Sequence, residues 1–129
     1  MAFGRETNAG NVKPLQGSVI SRFIAGATIE AGEIVAIMAD GFVDPANTAA
    51  FTGAIIVGIA LEGVTVGRQV DVVTHGRVKC LIDATPAAII YASDTAGEPS
   101  ATAGTKSAIV GKAIAADVLF VNVQQVALS

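Results

Sequence analysis

The chain has one cysteine, one histidine, one tyrosine and no tryptophan in 129 residues. A single cysteine excludes an intramolecular disulfide, and with it the disulfide-stapled scaffolds of small secreted proteins. Aromatic residues make up only 5%, so the large anchors that dominate many recognition surfaces are scarce. Charge is scarce too: 15% of residues are charged, against about a quarter in an ordinary soluble domain. The eight Lys and Arg residues are scattered and the net charge is −3. The basic footprint of a nucleic-acid-binding surface is missing, and no nucleic-acid partner is expected. The longest apolar run, AIIVGIAL at 54–61, falls far short of the roughly 20 residues a membrane helix needs. The N-terminal MAFGRETNAGNVKP has no apolar leader core, so neither a secretory leader nor a membrane partner is expected.

What remains is an apolar chain. Hydrophobic residues are 52%, mostly Ala, Val and Ile, enough for the core of one domain of ordinary size. The surface is then either poor in charge or covered in large part by partners, a first sign of an assembly protein. Gly and Pro recur about every 8–12 residues, the spacing of many short strands. Residues 1–14 are too broken by Gly4, Asn8, Gly10, Asn11 and Pro14 for any period, and read as a flexible arm ahead of a single β domain at 15–129. Strands are expected in SVISRFI, in EIVAIM before an Asp40-Gly41 hairpin, and in FTGAIIVGIALEG (51–63), broken by Gly53 and Gly58, which mark a bulge or sharp bend. RQVDVVT and RVKCLID follow, with a turn at His75-Gly76, then AIIYAS and two strands across 107–128 turning near Asp117. VGIA at 57–60 and VGKA at 110–113 anchor an internal echo, two copies of strand–turn–strand–turn–strand. Two such units build a small bent barrel or sandwich.

HGRVKCLID, residues 75–83, holds the only His and Cys. Five residues apart on an extended strand, they point to opposite faces and cannot form a nucleophile–base pair. Alternation puts Val78, Cys80 and Ile82 on the apolar face, and Arg77, Lys79, Leu81 and Asp83 on the other. A zinc site needs three or four ligands, and no carboxylates show ligand spacing. Lys106-Ser107 lacks the glycines of a phosphate loop, and Gly111-Lys112 is followed by Ala113. The acidic residues fall mostly at turns, and no two stand out as a catalytic pair. No catalytic residue, cofactor or metal is expected.

The segment AAIIYASDTAGEPSATAGTKSAIVGKAIAADVLFVNVQQVAL, 87–128, resembles the C-terminal half of the tailed-phage capsid cement, or head decoration, proteins. The resemblance lies in Ile89-Ile90, Tyr91, Asp94, Gly97, Val110-Gly111-Lys112-Ala113 and Val121–Val123, and extends through AGEIVAIMADG, VGIALEG and VDVVTHGRV to cover about residues 17–128. It implies an all-β fold of the β-clip (β-tulip) type with an extended N-terminal arm. It implies homotrimers at threefold and quasi-threefold positions on the outer surface of an icosahedral head, with the major capsid protein as partner and no enzymatic activity. The arm is then the expected capsid-binding element, through Ala2, Phe3, Arg5, Asn11 and Val12, by adding a strand to a sheet edge. Phe42 and Phe51 are the candidate protomer interface, whereas Phe120 reads as core. The alternative is a small clip-fold trimeric enzyme or ligand-binding domain with a site between protomers. A viral fibre module would need exposed aromatics and a repetitive shaft, which the sequence lacks.

Overall fold

Short β-branched runs separated by glycine form strands here, as their pattern predicts. The computed structural model describes residues 3–49 and 54–123. It is 47% strand and 2% helix, with a strongly curled antiparallel sheet that makes a half-barrel. The strands are β1 (Gly4–Arg5), β2 (Lys13–Pro14), β3 (Val19–Ile24), β4 (Ile34–Ile37), β5 (Val43–Pro45), β6 (Ile55–Ala60) and β7 (Gln69–Lys79), then β8 (Leu81–Ile82), β9 (Ile89–Ala92), β10 (Pro99–Ser100), β11 (Ile109–Ala113) and β12 (Val118–Asn122). A 3-10 turn at Ala9–Asn11 lies between β1 and β2.

The main sheet runs β10-β9-β11-β12-β7-β6-β4-β5. Matching β4, β5, β6 and β7 to β9, β10, β11 and β12 makes this order read the same from either end. The echo seen in the sequence is therefore an echo of register. Val35 lies opposite Gly58, and Ile90 opposite Gly111. In both pairs the valine before the glycine, Val57 or Val110, is the extra residue of a bulge. The glycines share one reason. A Cβ on Gly58 would run into the carbonyl oxygen of Val73, and one on Gly111 into that of Phe120. Each carbonyl belongs to the next strand, which approaches too closely for a side chain.

β7 holds the halves together because both its edges are used. One edge pairs with β3 and β2, and the other with β6 and then β12. His75 sits in mid-strand, opposite both Val19 and Asn122. The expected turn at His75-Gly76 is thus corrected: with partners on both edges the strand continues, and Gly76, at φ 109°, bends it without ending it. The expected face of Leu81 is also corrected. The amides of Cys80 and Leu81 both donate to the Asp117 carbonyl. The pleat breaks there, and Leu81 is buried beside Cys80.

The arm differs from expectation as well. Residues 3–14 are not unpaired. Gly4 and Arg5 pair with Ile82 and Leu81, and Lys13 and Pro14 with Lys79 and Val78. Val12 is 6% exposed and belongs to the core. Its apolar side chain and the backbone groups of β1 find partners on the chain's own domain, which outweighs the irregularity of the glycine- and asparagine-rich sequence around them.

The core has two parts, and the two halves use it differently. In the first half the row Ile34–Ile59–Val73 faces the larger cluster, while Val35, Ala60 and Val72 face a smaller one with Ala25, Ile29 and Val43. Both faces are buried. In the second half Ile90, Ala113 and Leu119 face the larger cluster. The row equivalent to Ile34–Ile59–Val73 is Ile89–Lys112–Phe120, and it lies on the outside: Ile89 and Lys112 are exposed and Phe120 half-buried.

Candidate functional site

His75 and Cys80, the residues with most chemistry in the sequence, are not brought together. His75 is exposed and meets the edge of Phe120, ring centroids 5.4 Å apart and nearly perpendicular. Cys80 is buried in the larger cluster, and burial pushes its thiol up to about 12. A thiol held protonated there is neither nucleophile nor ligand. Among the described residues no group of three or more His, Cys, Asp or Glu side chains is placed to hold a metal.

The arm residues are held by their own chain. Phe3 packs half-buried against the larger cluster. Arg5, 9% exposed, donates from Nε to Glu98 (2.6 Å), from Nη1 to the Ala31 carbonyl (3.0 Å) and from Nη2 to Glu30 (3.3 Å). Glu33 stands near this group, and burial raises its carboxyl above the ordinary range despite the guanidinium. Its Oε1 accepts the Glu30 amide at 2.8 Å. Buried charge with satisfied donors is costly to break by removing one partner. Arg5 is therefore a latch for the first strand. Asn11 is exposed in the 3-10 turn. Ala2 and Phe51 lie outside the described residues.

Three surface features lie outside the candidate site residues that the sequence marks, Phe42 excepted. First, among the described residues β3 pairs only with β7, so none of them pairs with its far edge, and Val19, Ile20 and Ile24 are 51%, 46% and 39% exposed. The sequence signal was present: VISRFI is apolar at successive positions, so no register hides all of it. Second, a cleft of about 480 Å3 opens over the second half, lined by Ile89, Ile109, Lys112, Phe120, Asn122 and Val123. Phe120, expected in the core, lines this cleft instead. Its place in the ladder puts it beside Lys112 and Arg77, on the face opposite to Leu119 and Val121. The face of β7 and β12 beside the cleft carries His75, Arg77 and Lys79, with Lys13 opposite Lys79. Third, the β4–β5 hairpin ends in Asp40, Gly41, Phe42 and Asp44, with Phe42 exposed. The Phe42 amide donates to Asp40 Oδ1 at 2.9 Å. Burial and then the nearby Asp40 charge raise the carboxyl of Asp44 above the ordinary range.

A polar tie joins the halves. Asp94 accepts from the Thr48 hydroxyl and, at 2.8 and 2.7 Å, from the Thr105 amide and hydroxyl. Lys106 Nζ donates to the Thr48 carbonyl at 2.9 Å. This network orders the long loop between β9 and β11. Its members bond to one another, so it has the character of a staple.

The molecule thus offers an open apolar strand edge, a basic-rimmed apolar cleft and an acidic aromatic hairpin. All three suit contact with macromolecular surfaces. No protein-family model and no curated protein matches this chain.

Proposed function

We propose that the protein is a capsid decoration, or cement, protein. It binds the outer surface of an icosahedral phage head as homotrimers at threefold and quasi-threefold sites and strengthens the shell against the pressure of packed DNA. It acts without catalysis or cofactor, its partner is the major capsid protein, and its place is the virion exterior. The resemblance of residues 17–128 to that family supports this reading, and so does an all-β half-barrel.

The observation that carries it on physical grounds is the edge of β3. A free strand edge is normally guarded by charge, proline or a bulge. Here it presents Val19, Ile20 and Ile24 to water; its guards are one register shift between Val19 and Ile20 and the single charge of Arg22, which is paired with Asp71 at 3.0 Å. The loop bearing the exposed Val66 hydrogen-bonds to Ala25 just beyond the strand. An apolar edge of this kind is suited to an extended segment of another chain, which would add as a further strand. With the arm latched by Arg5 and Val12, β3 replaces it as the preferred shell-binding element.

Co-sedimentation with expanded, undecorated heads tests this. Saturable binding near three copies per threefold site, lost in Ile20→Asp protein that keeps its native fold, is the expected result. No binding by the folded wild-type protein at any concentration overturns the assignment.

A further inference from the structure

The cleft and the hairpin match each other. The cleft is apolar at Ile89, Ile109, Phe120 and Val123, and Lys112 supplies a cation. Arg77 stands in register beside Phe120 on the next strand, at the rim of the cleft, where its Nη2 donates to the Gln16 carbonyl at 3.3 Å. Its volume of about 480 Å3 lies within the range of about 300–1,000 Å3 that encloses small ligands and side chains. Four of the chain's eight Lys and Arg residues, Lys13, Arg77, Lys79 and Lys112, occupy the strands around it. Among the described residues, the carboxylate of Asp117 lies 3.8 Å from Lys79 at the far end of the ladder. In a chain of eleven acidic residues this is a separated positive face.

The hairpin has the opposite character: one exposed aromatic ring between two carboxylates, on strands far from the cleft in the sheet order. Phe42 does not line the cleft of its own chain.

We infer that a second copy of this chain fills the cleft, seating Phe42 among Ile89, Ile109 and Phe120, with Asp40 and Asp44 against Lys112 and Arg77. The contact joins two different surfaces, so it repeats from copy to copy and closes into a ring when the rotation allows. It deepens the trimer part of the proposed function and names the surfaces that make it. Burial of the ring supplies the apolar term. The cations also relieve the mutual repulsion of Asp40 and Asp44, which otherwise stays with the free hairpin. The cleft, and not the β3 edge, is the site between copies, leaving β3 for the shell.

Sedimentation equilibrium of the full-length protein tests this, with circular dichroism to confirm folding. The wild type is expected to form trimers that weaken as salt rises, because charge pairs at a rim are screened. Phe42→Ser, Lys112→Glu and Asp44→Lys each raise the apparent dissociation constant by about tenfold or more. The exchange Asp44→Lys with Lys112→Glu in one chain restores association. Wild-type-like trimers in both Phe42→Ser and Lys112→Glu overturn the inference. A wild type that stays monomeric while Lys112→Glu loses binding to heads also overturns it, giving the cleft to the shell. Trimers of the expected kind that ignore heads would leave the inference standing and remove the decoration function.

Discussion

The halves β4–β7 and β9–β12 share strand order, register, bulges and the glycine after each bulge, yet only the first buries both faces. The difference is concentrated at one pair of equivalent positions. Where the first half has Ile59, 1% exposed, the second has Lys112. VGIA and VGKA differ at that residue alone. An isoleucine lets the face close over a core, whereas a lysine keeps it toward water because burying an unpaired ammonium is prohibitive. One architectural unit thus serves as interior in one half and as surface in the other.

The strongest way to break this contrast is to make the first half like the second. Ile59→Lys puts a cation in the larger core cluster, and a loss of about 4 kcal/mol or more is expected. Urea unfolding measures it, and a variant within 1 kcal/mol of wild type, on the order of an ordinary surface change, would refute the equivalence. Next come the glycines. Gly58→Ala and Gly111→Ala should each cost about 3 kcal/mol, within about 1 kcal/mol of each other, since each new methyl meets a backbone carbonyl. A large cost at one and none at the other would show that the shared register does not impose a shared constraint.

The tie between the halves gives a smaller effect that depends on pH. The hydroxyl of Thr48, then the amide and hydroxyl of Thr105, hold the Asp94 carboxyl below its ordinary 3.8. A depressed folded value contributes stability above the unfolded value and loses it as pH falls through the folded one. Melting temperature should therefore fall more steeply below pH 3.8 in the wild type than in Asp94→Asn, which has no carboxyl to titrate at that position. Parallel curves would assign the acid sensitivity to other groups. The smallest effect is the converse swap. Lys112→Ile should change stability by no more than about 0.5 kcal/mol, because that face is open. It should instead weaken the salt dependence of self-association, leaving the part carried by Arg77, which sedimentation at two ionic strengths reads directly.

The strands and the echo were legible because both rest on local pattern: alternation, turn residues and a repeated tetrapeptide. Cys80 was placed correctly on the buried side for the same reason. What escaped was set by partners distant in sequence. His75-Gly76 has the composition of a turn, but strands on both edges carry it through. Val12 and Arg5 look like part of an irregular tail, yet the first is core and the second is held by Glu98, Glu30 and the Ala31 carbonyl. Phe120 is apolar and sits between buried neighbours, Leu119 and Val121, so only its parity in the ladder tells which side it faces. The cleft was hidden because it exists only where a repeat that closes in one half stays open in the other.

The place of β7 also sets the order in which a growing chain can fold. β2 and β3 lie well ahead of it in sequence and, among the described residues, find their ladder partner on β7, while β1 waits for β8. A nascent chain leaving the ribosome therefore carries its most apolar edge, VISRFI, unpaired until more than half of the protein has been made. Strand pairings this distant in sequence make for folding on the order of milliseconds to seconds. Synthesis is a period of exposure for the same segment that we propose docks on the shell, so chaperone capture or premature edge-to-edge pairing is expected to act there first.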